Sequence, residues 1–204
     1  MRRPIDRDNV ASVEPTAELL ARARRGDARA FEDLARAVER PLYRHALRIL
    51  ANGADAEDVV QDALLSAWKS LSSFEGASFR AWIFRIATNR ALDRLRARKR
   101  RPELPLDPPS EDDEPGWAEP GSTAPELAEL VGDREAVTLI EAALAHLPPE
   151  QRAALLLRDV EGFAYEEIAS ITVAEIGTVK SRIHRGRLAV RNALVAKGWK
   201  GSSG

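Results

Sequence analysis

Tyr165-Glu-Glu-Ile-Ala-Ser-Ile-Thr-Val-Ala-Glu-Ile-Gly-Thr-Val-Lys-Ser-Arg-Ile-His-Arg-Gly-Arg187 joins a short apolar-periodic run to a longer, basic one across a break. In the second run Ile176, Val179, Ile183 and, further on, Val190 and Leu194 recur at three- and four-residue spacing, which places side chains on one helix face. They are expected to pack inward on Ile168, Ala169 and Ile171, the small Ala169 letting two helices cross closely. The opposite face then carries Lys180, Ser181, His184, Arg185 and Arg187. Short helix, tight turn and long basic helix together make helix-turn-helix geometry. The inner stripe fixes the angle of the second helix, and the outward donors suit phosphates and base edges in a major groove.

Working outward, Glu135 to Ala145 reads as one helix. Pro148-Pro149 starts another that runs to Val160, with proline suited to a first turn and Gly162 just past the end. Upstream, the segment from Pro102 to Pro125 holds seven of the twelve prolines together with Glu111-Asp-Asp-Glu114. Missing backbone donors and repelling acids stop a helix there, which predicts an extended tether. Before it, Leu19, Leu20 and Ala23 share a face that ends near Gly26. Phe31, Leu34, Ala35 and Val38 make a second stripe, continued past Pro41 by Leu42, Tyr43, Ala46, Leu47 and Leu50. A third helix is expected to start at Asp55 as N-cap, with the stripe Val60, Leu64, Ala67, Trp68, Leu71. After Ser72-Ser-Phe-Glu-Gly76 a fourth carries Phe79, Trp82, Ile83, Ile86, Leu92 and Leu95. The expected fold is all-α: residues 16–101 and 133–197 form two small helical domains, joined by the acidic linker 102–132. Residues 1–15 are expected to be a disordered arm and 198–204 a polar tail.

Charge divides along the same lines. Gly76 to Arg101 has nine basic residues against Asp93, a net of +8; Glu103 to Glu135 has eleven acids against Arg134, a net of −10. Ile176 to Lys200 has seven basic residues and no acid. The overall −1 therefore hides two local fields of the kind that meet nucleic acid. The absence of cysteine excludes disulfides, thiolate zinc sites and cysteine nucleophiles, and fits a reducing cytosol. No apolar run reaches the roughly 18 residues of a membrane span, and Met1-Arg-Arg-Pro-Ile-Asp lacks the apolar core of a signal peptide. His45, His146 and His184 lie far apart, and no phosphate loop or nucleophile elbow appears, so no catalytic residue, metal site or cofactor is expected.

Two blocks carry a resemblance. Leu147-Pro-Pro-Glu-Gln-Arg-Ala-Ala-Leu-Leu-Leu-Arg-Asp-Val-Glu-Gly162, with Tyr165-Glu-Glu-Ile-Ala169 and Gly177-Thr-Val-Lys-Ser-Arg182, resembles region 4 of the sigma-70 family, most of all its extracytoplasmic-function (ECF) group. Ala54-Asp-Ala-Glu-Asp-Val-Val-Gln-Asp-Ala63 is similar to region 2.2 of that group. Phe79-Arg-Ala-Trp-Ile-Phe-Arg-Ile-Ala-Thr-Asn-Arg-Ala-Leu-Asp-Arg94 is similar to regions 2.3 and 2.4. Two collinear blocks in the right order are far more specific than either alone, and the likeness spans about Thr16 to Ala196.

The resemblance implies a non-enzymatic, cytoplasmic subunit that binds core RNA polymerase, through the β′ clamp helices and the β subunit, and directs promoter recognition and melting. It also leaves room for an anti-sigma protein as a partner and implies no membrane insertion. Asp58, Gln61 and Asp62 match the surface that docks on the clamp helices; capping of the third helix by its acids is compatible with that. The loop Ser72 to Ser78 and the following helix match the part that captures a flipped minus-10 base. Asn89 stands at a base-reading position, and Arg80, Arg85, Arg90 and Arg94 suit phosphates. Trp82 could stack on a base, although its spacing with Phe79 and Ile86 favours the core. For the minus-35 element, Lys180, Ser181 and His184 match base-facing positions, while Thr178, Arg182, Arg185 and Arg187 complete the DNA-binding set. Without the resemblance, His184 reads as an ordinary surface histidine. The chain departs from the family pattern at Val173, where the turn carries glycine, and at Ala164, where a serine would cap the helix at Tyr165. A β-branched residue at positive φ is strained by about 1 kcal/mol or more, so a remodelled turn is expected. The competing reading is a stand-alone two-domain helix-turn-helix regulator with a sensory N-terminal half.

Overall fold

The structure, a computed structural model, describes residues 14–76, 78–100 and 134–197; the expected linker 102–132, the tail and all but the end of the N-terminal arm lie outside them. Among the described residues there are helices and no strand. In the first module α1 (Ala17–Arg24), α2 (Ala28–Leu50), α3 (Gly53–Ser70) and α4 (Phe79–Arg100) pack together, with a 3-10 turn at Leu71–Ser73 between α3 and α4. In the second, α5 (Arg134–Ala145), α6 (Pro149–Asp159) and α7 (Tyr165–Thr172) pack around the long α8 (Ile176–Ala196).

Local chemistry sets the ends of these helices. Thr16 Oγ1 accepts from Leu19 N, and Asp27 Oδ1 from Ala30 N, capping α1 and α2. The third helix starts earlier than the sequence predicts: Asn52, not Asp55, is its N-cap, and the Asn52 side chain accepts from Asp55 N at 3.0 Å. Asp55 sits instead in the first turn, where the dipole favours an acid. Pro149 takes the first position of α6, and Gly162 beyond it has φ +76°.

The first core is built on Leu34, Leu42, Ile49, Leu71, Phe79, Ile83 and Phe84, all fully buried. His45 is buried with them; its Nε2 lies 2.9 Å from Thr88 Oγ1, and burial pushes its pKa down to about 3, so the ring stays neutral. Trp68, expected in the stripe of α3, is 38% exposed, with its ring 4.9 Å from that of Phe31. The second core is built on Leu155, Leu156, Leu157, Ile168, Ile171, Val179 and Ile183. Ile176, expected to face inward, is 41% exposed at the first turn of α8.

The two modules meet. α7 lies along α4, and α5 and α6 touch α2 and α4, so buried residues run continuously from one module to the other. Phe84 and Phe163 meet edge to face at 5.2 Å across the join. Buried Arg152 of α6 donates Nη1 to Ile49 O (2.7 Å) in the last turn of α2, and Nη2 to Ala145 O and Leu147 O. A cation at a helix C-terminus satisfies carbonyls that have no partner within the helix.

Candidate nucleic-acid interface

α8 has the inner stripe expected of it: Val179, Ile183, Val190 and Leu194 are buried. Gly186 lies on the same face, where an added Cβ would come within 3.3 Å of Leu155, so the glycine lets α8 approach α6 closely. The outer face presents Thr178, His184 and Arg185 as exposed residues, with Lys180, Ser181 and Arg182 half-buried. Arg187 departs from the expected set. Its Nε donates to Asp159 Oδ2 at 2.9 Å and its Nη2 to Asp159 Oδ1, and the side chain of that aspartate is 3% exposed. The pair ties α8 to the end of α6.

The turn ahead of α8 is not remodelled. Val173 takes φ +51°, ψ +50°, the left-handed conformation that a glycine would adopt freely. At 69% exposure it escapes a packing clash and bears the torsional strain alone. Ala164 offers no oxygen to cap α7, but Glu167 reaches back to accept from Ala164 N at 2.8 Å, half of a capping box.

α4 buries Phe79, Ile83, Phe84, Ala87 and Ala91 and exposes Arg85. Trp82 is half-buried, its ring 4.7 Å from Phe74 and 5.9 Å from Phe79, which favours the packing role. Gly76 keeps Phe74 in place, since an added Cβ would lie 2.6 Å from that ring. Three arginines of α4, Arg90, Arg94 and Arg98, turn to the acidic face of α3, Arg98 pairing with Asp55. Arg90 meets Asp62 at 3.2 Å and donates to Ser66 Oγ at 2.6 Å; Arg94 meets Asp55 at 2.9 Å and Asp58 at 2.8 Å. The candidate polymerase-docking acids and candidate phosphate-binding bases are thereby paired with each other. Asp58, Gln61 and Asp62 remain exposed, and Leu65, 57% exposed one turn on, continues their face.

Arg80 and Asn89 lie elsewhere than on an open surface. Arg80 is 8% exposed; its Nη2 donates to the Glu161 carboxylate at 3.0 Å and to Glu161 O at 2.8 Å, and its guanidinium stacks 4.1 Å from the Phe163 ring. Burial pushes the Arg80 pKa down and that of Glu161 up, more than their mutual attraction pulls them back. Asn89 Nδ2 donates to Ile171 O at 3.3 Å. Asn89, Arg96, Glu150, Val173 and Arg182 line a cleft of about 350 Å³ between the modules. Sequence reasoning missed Glu161, Glu150, Arg152 and Glu14, because each finds its partner far along the chain and none belongs to a periodic pattern. Among the described residues no group of three or more His, Asp or Glu side chains is placed to hold a metal ion, and no helix is long and apolar enough to cross a membrane.

Comparison with known proteins agrees with this architecture. The Sigma-70 region 2 family matches residues 34–101 and the Sigma-70 region 4 family residues 138–190. The RNA polymerase sigma-H factor of Pseudomonas aeruginosa is 37% identical over 185 residues, covering 89% of this chain and 94% of that protein. The ECF RNA polymerase sigma factor SigE of Mycolicibacterium smegmatis is 37% identical over 80% of this chain, which spans 61% of that longer relative. Among solved structures, the sigma factor RpoE of Bartonella quintana, crystallised with the anti-sigma factor NepR, superposes with a TM-score of 0.60 at 31% identity, covering 81% of this chain and 96% of that one. With both conserved regions present in order, and a helix-turn-helix and an acid-faced α3 where those regions fall, the chain belongs to the ECF group of the sigma-70 family of RNA polymerase sigma factors.

Proposed function

We propose that this chain docks on core RNA polymerase through the exposed Asp58, Gln61 and Asp62 face of α3, with Leu65 extending it. Region 2, residues 16–101, takes the minus-10 strand along α4, with Asn89 reading a base and Arg80 and Arg85 holding phosphates. Region 4, residues 133–197, takes the minus-35 duplex with Thr178, Lys180, Ser181, Arg182, His184 and Arg185 of α8. Arg90 and Arg94 neutralise the docking acids in the free chain and turn to DNA when core polymerase takes their place. Residues 102–132 tether the modules, and the chain works in the cytoplasm. The relative crystallised with an anti-sigma factor supports the same class of partner for this chain.

One observation carries the proposal: two modules collinear with sigma regions 2 and 4 present an acidic helix face and an outward cationic helix face. The docking face has no use in a stand-alone regulator, so that reading is not favoured. Holding two weak DNA contacts at a fixed spacing raises overall affinity without new contacts, which is what core polymerase supplies. Run-off transcription on a promoter library, with core polymerase plus or minus the chain, tests it; unaltered start sites refute it. Asn89→Ala is expected to impair open-complex formation while core binding persists, and Asp62→Arg to lose core binding first. Equal loss of both steps in Asn89→Ala would remove the base-reading role.

A further inference from the structure

Ile176 stands out in α8 because its side chain turns away from the core to which its spacing assigns it. It is 41% exposed in the first turn, while Val179, three residues on, is fully buried. Ile176, Lys180 and His184 follow one another at four-residue steps and so form a single row along the helix. Under the proposed function, on which this inference rests, Lys180 and His184 face base edges, and the row carries Ile176 to the same groove. A lone exposed isoleucine is ordinary on a protein surface; its register with two base-facing residues singles it out. Gly177, next to it, gives a second and independent indication. It lies exposed in the same turn, and a Cβ added there would meet nothing in the chain within 4 Å. Glycine within a helix gives up stability that alanine would keep. Gly186, further along α8, is explained by Leu155 at 3.3 Å, whereas no contact among the described residues explains Gly177. A missing Cβ serves where backbone must come close to a ligand. Glu175, at the N-cap, makes no side-chain bond to the first turn, and the N-terminus of a helix favours a phosphate. The start of α8 thus offers DNA a bare backbone edge with an isoleucine beside it.

We propose that Ile176 is a specificity-determining residue of the minus-35 contact: its methyl groups pack on the C5-methyl group of a thymine in the major groove, and Gly177 lets α8 sink far enough for them to meet. A recognition helix sets its N-terminal residues against base edges. The thymine methyl is the apolar feature that the four base pairs display in that groove, and a branched aliphatic side chain is its match. Isoleucine has no donor or acceptor for the edges of guanine, adenine or cytosine, and a polar edge pressed against it loses water without gaining a partner. Ile176 therefore selects by apolar contact where Lys180 and Ser181 select by hydrogen bonds.

The test starts from a promoter that the full chain and core polymerase use in run-off transcription. Each thymine of its minus-35 element is replaced in turn by deoxyuridine, which removes the methyl group and leaves base pairing intact. Binding of the chain with core polymerase is then followed by fluorescence anisotropy at constant salt, since affinity for DNA shifts with salt. Loss of one buried methyl contact corresponds to about a fourfold loss of affinity, expected for the parent chain at one or more thymines. Ile176→Ala is expected to bind the thymine promoter about fourfold more weakly and to be indifferent to uracil at that position. Ile176→Val should keep most of the preference. Gly177→Ala is expected to raise the urea midpoint, since alanine suits a helix better, and yet to weaken binding to thymine and uracil promoters alike. The inference falls if no thymine responds to uracil, if Ile176→Ala keeps the parent's response, or if Gly177→Ala binds DNA as tightly as the parent. Run-off transcription by the parent chain persists in each of those cases, so the proposed function stands. A parent chain that leaves start sites unaltered removes the function itself.

Discussion

Val173 carries a cost that no neighbour offsets. Its φ of +51° places a β-branched side chain in the left-handed region, which costs an L-residue about 1–2 kcal/mol. The side chain is mostly in solvent, so removing it forfeits little packing. Val173→Gly is therefore expected to raise stability by about 1 kcal/mol in urea melts, part of the relieved strain returning as unfolded-state entropy. Val173→Ala, still carrying a Cβ at positive φ, should gain much less. A Val173→Gly variant no more stable than the parent would mean that the turn is relaxed in solution. At this scale the sequence was legible where a residue broke a known pattern, as Val173 and Ala164 do. It was silent on Glu14 and Glu161, whose roles come from partners 66 and 81 residues away.

At the scale of elements, periodicity read the helices well because each stripe is a local property of the chain. The inner faces of α4 and α8 and the break before α4 follow from the spacing of apolar residues. The outer faces were less legible, since charge alone does not separate a DNA contact from an internal pair. Arg187 is the clear case: expected as a phosphate ligand, it also anchors α8 to Asp159 at the end of α6. Removing one partner of a buried pair strands the other charge and costs about 3 kcal/mol or more. Arg187→Ala is thus expected to lower the urea midpoint of the chain substantially, with Arg187→Ala/Asp159→Asn recovering part of the loss. A duplex-contact role predicts otherwise, an unchanged midpoint and a salt dependence of DNA binding shallower by about one.

For the whole molecule, the informative quantity is reach. Elements named for positions 35 and 10 upstream lie some 25 base pairs apart, about 85 Å at 3.4 Å per step. The longest helix, α2 at 23 residues, spans about 35 Å, and in the closed arrangement Asn89 and Arg182 line one cleft. Under the proposed function, no placement of this arrangement puts both residues on their elements. A stretch of 33 residues, the length of 101–133, can reach at most about 120 Å, so under the proposed function it is long enough for the modules to separate and span the promoter. Joining the modules covalently should then abolish promoter use. The absence of native cysteine allows Arg96→Cys/Glu150→Cys, placed where those two side chains meet across the boundary at 3.2 Å, to be linked by a short disulfide-containing bismaleimide. The linked chain is expected to lose run-off transcription by at least about tenfold and to regain it on reduction, the inactive fraction tracking the fraction linked. If the linked chain initiates as well as the reduced one, the modules need not part, and the promoter is bridged in some other way.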